Sequence, residues 1–475
     1  MSLLQILIFG LFSMAVGCLP PARWRVWVLL AGSLLSVYWL QPSIPIRALD
    51  FWLPSASIGV TLLIWAITVP KDRLNLRSNQ AAFALIAVLV LMISMTRYSG
   101  NFCCLTPSRP PQIVTVLIVI ALTAGLLYLV YRAGVTSRRM AAIAVLLIIG
   151  LFFLLKYSPL SQSASAILRR LSGQDASLAS SFDLAWLGFS YLAFRLLHVI
   201  RDYHSSKLPA YTAGEFLTYA LFYSSLTAGP IDRSQRFIQN DLRSTVTVTT
   251  SGRLRGLERI LFGIFKKFVL ADTLALIALN QQIAMQTHSS FWMWVFLYAY
   301  ALRLYFDFAG YTDIALGLAL LVGIQLPENF NRPYLKTNLT AFWNSWHITL
   351  AGWFRAYVFN PLTRALRISP RRFPVWSIIL IGQIATMSLI GLWHGISWSF
   401  AIWGLWHALG LFIHNRWSDW MHPRMAGVGA NRNLNLGLSL GGWFITFQFV
   451  CLGWVWFALP DPGAALQVFR VLFGL

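Results

Sequence analysis

This sequence predicts an all-α polytopic membrane protein, and three observations carry that prediction. Hydrophobic residues make up 57% of the 475-residue chain and charged residues only 11%, whereas a soluble domain carries about 25% charged residues. Apolar stretches close to the roughly 20 residues needed to cross a bilayer recur along the whole length. Basic residues cluster in alternate short loops: Arg23 and Arg25, then Lys71, Arg73 and Arg77, then Arg132, Arg138 and Arg139. The intervening turn at 41–50 carries only Arg47, beside Asp50.

The first apolar stretch, Leu3 to Leu19, has no Lys or Arg before it. It lacks the charged start of a secretory signal and is expected to be a retained span. Further stretches follow at 24–40, 51–69, 80–95, 112–131, 140–157, 183–199 and 213–228. The remainder are 257–280, 291–323, 375–392, 397–414, 437–458 and a short last one at 462–475. The expectation is roughly eleven to fourteen membrane segments, some re-entrant or lying in the interface.

The alternation of basic loops is the positive-inside pattern. It puts the N-terminus outside, the turns at 71–78 and 132–139 in the cytoplasm, and 96–110 outside. The later basic loops at 253–267 and 364–372 are expected on the cytoplasmic face. The net charge of +22 is therefore assigned to topology and anionic lipid, not to nucleic acid. A basic cytoplasmic face also suits a phosphorylated cofactor or an acidic carrier protein. The cysteines Cys18, Cys103, Cys104 and Cys451 form no CxxC and no spacing with histidine, so neither a metal site nor a disulfide framework is indicated.

Polarity divides the chain. Residues 1–157 read as N-terminal transmembrane helices joined by short basic turns. Residues 158–475 read as the working core of a single membrane domain. Three polar stretches interrupt that core: 158–182, with an interfacial helix around Leu168, Arg169 and Arg170; 229–256, read as cytoplasmic loops; and 325–340, with Pro327, Pro333 and several asparagines. From about 183 onward ionisable residues enter the apolar segments, among them Arg195, His198, Arg303, Asp307, Asp313, His347, Arg355, His394 and His407. Such groups are costly in a membrane unless they face a cavity or a partner.

Three constellations stand out. In Leu302 to Gly317, Arg303 and Asp307 lie four apart and can pair on one helical face. In AFWNSWHITLAGWFRAYVF (341–359), a continuous helix would stack Trp343 on His347 and put Asn344 on the adjacent strip. Arg355 then lies eight residues beyond His347, about 80° around. The ordinary reading of this cluster is a buried hydrogen-bond network joining two helices. The functional reading is the wall of a substrate tunnel, with tryptophans excluding water. In GLWHGISWSF, His394 follows Trp393 and is bracketed by Gly391 and Gly395, so the helix can break there. His407 comes 13 residues later, about 220° around an ideal helix, which does not suit joint metal binding. A lone imidazole poised near neutral pH suits general acid–base work. No GxSxG elbow, Walker loop, HExxH or GxGxxG stands in a soluble unit, so hydrolase, ATPase, metalloprotease and Rossmann readings have no support. Without a serine or cysteine nucleophile, the histidine would remove a proton from a substrate hydroxyl and use an already activated acyl group, such as a thioester.

These residues carry a resemblance. YFDFAGYTDIALG, the run through FWNSWHITLAGWFRAYVF, GLWHGISWSFAIWGLWHALGL and the upstream LTAGPIDRSQRF together resemble the membrane-bound O-acyltransferase family, over about 183–460. The resemblance implies that family's fold around a central tunnel, with catalytic histidines at His394 and His347. Trp343, Asn344, Arg355 and Trp393 are expected substrate contacts on the tunnel reading, and the resemblance adds His407. It implies no tightly bound cofactor or metal; the donor would be acyl-CoA or an acyl-carrier-protein thioester. The implied acceptor is an extracytoplasmic polysaccharide or its carrier. Implied partners are an acyl carrier protein and a periplasmic acyltransferase or esterase-like protein, in a bacterial inner membrane. One departure is Ala356, where the family motif has an acid after the arginine. Acetyl transfer leads and D-alanyl transfer is the alternative. A proton-coupled transporter, using the histidines and an Arg303–Asp307 pair as a relay, is the rival class. A scaffold that passes acyl groups to a periplasmic transferase is a further option.

Overall fold

The computed structural model describes residues 1–19, 24–69, 77–99, 105–133, 138–205, 208–244, 247–425 and 432–475. Arg23, Lys71, Arg73, Cys103 and Cys104, on which the sequence reading drew, lie outside these. Every regular element among the described residues is helical.

The first helices are α1 (Leu3–Gly17), α2 (Trp24–Trp39), α3 (Leu49–Thr68), α4 (Arg77–Met95) and α5 (Ile113–Ala133). Then come α6 (Arg138–Lys156), α7 (Ser158–Leu171), α8 (Phe189–His204), α9 (Ala213–Ala220) and α10 (Thr250–Ile264). They are followed by α11 (Asp272–Ala275), α12 (Gln281–Gln286), α13 (Ser290–Leu321), α14 (Leu339–Trp343) and α15 (Ile348–Phe354). The last are α16 (Asn360–Arg367), α17 (Val375–His394), α18 (Trp398–Met425), α19 (Arg432–Ala458) and α20 (Pro462–Phe473). Two compact units result: Met1–Ile260 with Ile314–Pro327, and Leu261–Asp313 with Glu328–Leu475.

Seven helices are long and apolar enough to cross a bilayer, by length and composition among the described residues: α3, α4, α5, α6, α13, α17 and α19. α1 and α20 are shorter apolar helices. The α5 window is the clearest case, because only 11% of it is buried inside the protein. Leu117, Ile118, Leu122 and Leu126 are exposed on it. Water would not tolerate such a surface, but hydrocarbon does. The chain is a multi-pass membrane protein.

Local chemistry sets the helix ends. Ser2 and Gln5 form a reciprocal capping box at the start of α1, and Thr212 and Glu215 do the same for α9. Asp461 accepts from the N–H groups of Gly463 and Ala464 ahead of α20, with Pro462 at its first turn.

In the first unit, an arginine that enters the core is tied to backbone. Arg195, 2% exposed, donates to the carbonyls of Ala220 and Ser225 and to Ser225 Oγ, at 2.7–2.8 Å. The expected helix around Leu168 is α7, held by Arg169 against Asp183 at 2.8 Å.

Two sequence readings are corrected. Residues 253–264 are not a basic loop but part of α10, which runs into a π-helical segment, Phe265–Ala271. The helix continues because its interruption is a change of winding rather than a turn. That segment carries Lys266 to Asp313, at 2.5 Å, and Lys267 to Asp307. Asp307 is therefore paired with Lys267 and not with Arg303, since a lysine from a packed neighbour reaches it across the helix face.

Candidate active site

The second unit builds its polar centre from a broken stretch of chain between α13 and α17. Asn338 caps α14, accepting from the Ala341 N–H at 2.8 Å. After Trp343 the helix stops. His347 has φ 42 and ψ 53, the left-handed region, which costs a residue with a Cβ about 1–3 kcal/mol. The expected continuous helix with Trp343 stacked on His347 is thus overturned, because the backbone reverses hand at His347 before α15 begins.

Asn329, fully buried, holds this break. Its backbone carbonyl accepts from the Ile348 N–H at 2.9 Å, and the Asn331 N–H donates to the Ser345 carbonyl at 3.0 Å. Its side-chain Oδ1 accepts from Thr349 Oγ1 at 2.6 Å and from the Thr349 N–H at 3.3 Å, and lies 3.3 Å from His347 Nδ1. Tyr334 braces the same stretch. Its hydroxyl donates to the Ala301 carbonyl on α13 at 2.9 Å and accepts from Trp454 Nε1 on α19 at 3.0 Å.

The break sends the two aromatic neighbours in different directions. Trp343 packs on Trp403 and His407, with ring centres 5.9 and 5.2 Å away. His347 packs edge-on against Phe308 of α13 at 4.7 Å and against Trp393 of α17 at 6.2 Å.

His394 is the last residue of α17, half-buried where the helix ends. A Cβ on Gly391 would sit 2.2 Å from the Phe400 carbonyl oxygen, and one on Gly404 would sit 2.5 Å from the Met387 carbonyl oxygen. Only glycine at both positions lets α17 and α18 approach this closely. Gly395 has extended backbone; a side chain there would strike the Phe400 ring at 2.7 Å. The chain thereby turns sharply after His394, whose ring lies 4.5 Å from Trp393, 4.7 Å from Phe457 and 5.6 Å from Trp403.

The structure therefore brings His347 and His394 against one indole, that of Trp393. His407 is on α18, a different helix from His394, so the angle drawn from a single ideal helix does not apply. It is fully buried, ringed by Trp343, Trp403 and Phe449. Trp403 touches both His394 and His407 and so links the second and third histidines.

Asn344 and Arg355 also meet: the Arg355 guanidinium donates to Asn344 Oδ1. Arg355 opens a π-helical segment, Arg355–Phe359, between α15 and α16, a local winding that recurs at functional sites. Both side chains line a cavity of about 290 Å³ together with Trp343, Phe359, Gln383 and Thr386. Gln383 and Thr386 of α17 are buried, and Gln383 Oε1 and Thr386 Oγ1 have no hydrogen-bond partner among the described residues. Neither these two nor Asn329 and Trp403 was singled out from sequence. The asparagine-rich stretch before α14 was the one available signal. None of the three histidines, His347, His394 and His407, lines this cavity, which is walled by α14, α15, the segment Arg355–Phe359, α17 and α18. Among the described residues no cluster of three His, Cys, Asp or Glu could hold a metal ion.

Comparison with known proteins agrees with this architecture. The profile of the MBOAT, membrane-bound O-acyltransferase, family matches residues 180–452, and the chain belongs to that family. It is 33% identical over 290 residues to a probable alginate O-acetylase of Pseudomonas aeruginosa, covering 60% of this chain and 51% of that one. It is 31% identical over 284 residues to a teichoic acid D-alanyltransferase of Bacillus subtilis, covering 58% and 69%. It is 34% identical over 271 residues to a peptidoglycan O-acetyltransferase of Helicobacter pylori, covering 56% and 48%. The chain thus spans about half the length of these two O-acetylating relatives.

Proposed function

We propose that this chain transfers an acyl group, in our reading acetyl, from a cytoplasmic thioester to a hydroxyl of an extracytoplasmic polysaccharide or its carrier. The observation that carries the proposal is the meeting of His347 and His394 at Trp393, within the segment matched to the family. In this reading the His394 imidazole takes the hydroxyl proton as that oxygen attacks the thioester carbonyl. The tetrahedral adduct then collapses, the C–S bond breaks, and the imidazolium returns the proton to the thiolate. His347 orients a substrate or shares the proton. The surrounding tryptophans keep water from hydrolysing the thioester. Trp343, Asn344 and Arg355 would contact substrate in the cavity, and His407 would act from the α18 side.

Charge favours acetyl over D-alanyl. The cavity wall carries the Arg355 guanidinium and no carboxylate among its described lining residues. A D-alanyl group brings an ammonium into that field, whereas an acetyl group brings no charge. The donor would be acyl-CoA or an acyl-carrier-protein thioester, approaching the exposed Arg364, Arg367, Arg371 and Arg372, whose charge complements phosphate or an acidic protein. The working context is a bacterial inner membrane with the N-terminus outside and a periplasmic transferase-like partner. The transporter alternative used the histidines together with an Arg303–Asp307 pair as its relay, and Asp307 is committed to Lys267.

The test is transfer by the purified full chain in lipid vesicles. Acetyl-CoA, acetyl-carrier protein and D-alanyl-carrier protein are offered with an oligosaccharide acceptor, and ester formation is read by mass spectrometry. Acetyl ester formation lost in His394→Ala is expected. Faster D-alanyl than acetyl transfer would overturn the choice of acyl group, and ester formation undiminished in His394→Ala would overturn the mechanism.

A further inference from the structure

Asn329 is buried, lies outside the stretch from which the histidines were read, and contacts His347 through one oxygen. Three groups converge on that oxygen: the Thr349 N–H, Thr349 Oγ1 and His347 Nδ1. The backbone N–H can only donate, which fixes the orientation of the amide: Oδ1, not Nδ2, must face this corner. An oxygen held in that orientation has only lone pairs to offer His347. A lone pair on Nδ1 would repel it, and an N–H on Nδ1 bonds to it.

We infer that Asn329 is a positioning residue that holds the proton of His347 on Nδ1 and so places the basic lone pair on Nε2. The inference rests on reading His347 as a participant in acyl transfer. Locking the tautomer from behind is how an imidazole is oriented as a base. Here the orienting group is a neutral amide instead of a carboxylate. It fixes direction without adding the negative charge that would stabilise imidazolium. The rings against His347, Phe308 of α13 and Trp393 of α17, carry no titrating group. The same contacts hold His347 in its left-handed backbone, since the Asn329 carbonyl binds the next N–H. Asn329 thus sets the ring's position through its backbone and its tautomer through its side chain.

The experiment uses the full chain, labelled with ¹⁵N-histidine and reconstituted in lipid, with the His347 resonances assigned by their loss in His347→Gln. A protonated Nδ1 and a bare Nε2 at neutral pH are expected. Protonation on Nε2 alone overturns the inference. Asn329→Asp keeps an acceptor for all three donors and adds a charge. It should therefore fold, while its carboxylate moves the protonation midpoint of His347 up by about one unit or more. Acetyl transfer by this variant should lose its acidic limb by the same shift, because imidazolium has no lone pair to give. An unshifted midpoint and pH profile would leave Asn329 a structural residue only. His347→Ala, run in parallel, separates the two ideas. Full turnover by a stable His347→Ala protein removes the functional reading. Loss of turnover there with an unshifted Asn329→Asp profile removes only the role of Asn329.

Discussion

In the first unit, buried His198 sits in a closed chain of hydrogen bonds. The Ser234 N–H donates to Nε2 at 3.3 Å, Nδ1 lies 3.3 Å from the Tyr219 hydroxyl, and that hydroxyl donates onward to the Asp232 carbonyl at 2.8 Å. In the second unit, both nitrogens of buried His407 have no hydrogen-bond partner among the described residues. The indole N–H groups of Trp343 and Trp403 share that condition, as do Gln383 Oε1 and Thr386 Oγ1. A buried polar group left unsatisfied costs about 1–3 kcal/mol. The first unit avoids that cost at His198 but not at Ser33 Oγ or Ser224 Oγ, and in the second unit Trp343, Gln383 and Thr386 carry it around a cavity. The difference teaches where a partner comes from. Groups satisfied by the chain hold the fold together, and in our proposal the leftover groups that line the cavity are the ones that contact substrate.

Substitutions can break this comparison, and the largest effect is expected at His394. His394→Ala should lower acyl transfer by about 10²–10⁴-fold, the usual contribution of general acid–base catalysis. Thermal stability in detergent should stay near that of the parent, because the half-buried ring lies at a helix end. His394→Gln should fail as well; a Gln variant that retains most of its activity would make this histidine structural.

His347→Ala should also lose turnover with the melting temperature nearly unchanged, and His198→Ala should do the reverse. Removing His198 strands the Ser234 N–H and the Tyr219 hydroxyl, so about 1–3 kcal/mol of stability should go, with activity falling only as the folded fraction falls. If the two variants show the same ratio of lost activity to lost stability, the distinction between the units collapses.

Smaller again is the effect of charge in the cavity. Arg355→Glu should weaken acetyl transfer and raise the preference for D-alanyl thioester by about tenfold, the equivalent of some 1.4 kcal/mol at one site. An unchanged donor ratio would remove Arg355 as the source of selectivity. The last test changes no activity. On a cysteine-free background, a cysteine at Ser99 should be labelled from outside the cell and one at Ser78 should not, as the basic loops require. Labelling at Ser78 alone would invert the orientation.

Membrane residence and helical architecture were legible in sequence because both depend on composition and run length. Helices α3 to α6 need nothing beyond some 20 apolar residues to form in hydrocarbon. His347 and His394 were legible as well, because an ionisable residue in an apolar run is conspicuous and here each carries a family motif. Local geometry was not. The Trp343 to His347 spacing reads as one helix face, and nothing in those five residues announces a left-handed histidine. The Arg303–Asp307 pairing failed for a related reason, since the sequence shows an arginine at i−4 but not a lysine arriving from a packed segment.

Sequence alone therefore determined that the chain crosses a membrane as helices, and which ionisable residues it carries into the apolar part. Those properties follow from the side chains of contiguous residues and their transfer between water and lipid. Tertiary structure alone decided that His347 and His394 meet at Trp393, that His407 belongs to another helix, and that Asn329 stands behind His347. Each of these contacts joins residues from separate elements. Their geometry depends on how closely glycines let α17 and α18 approach, and on a backbone reversal held by an asparagine 18 residues away.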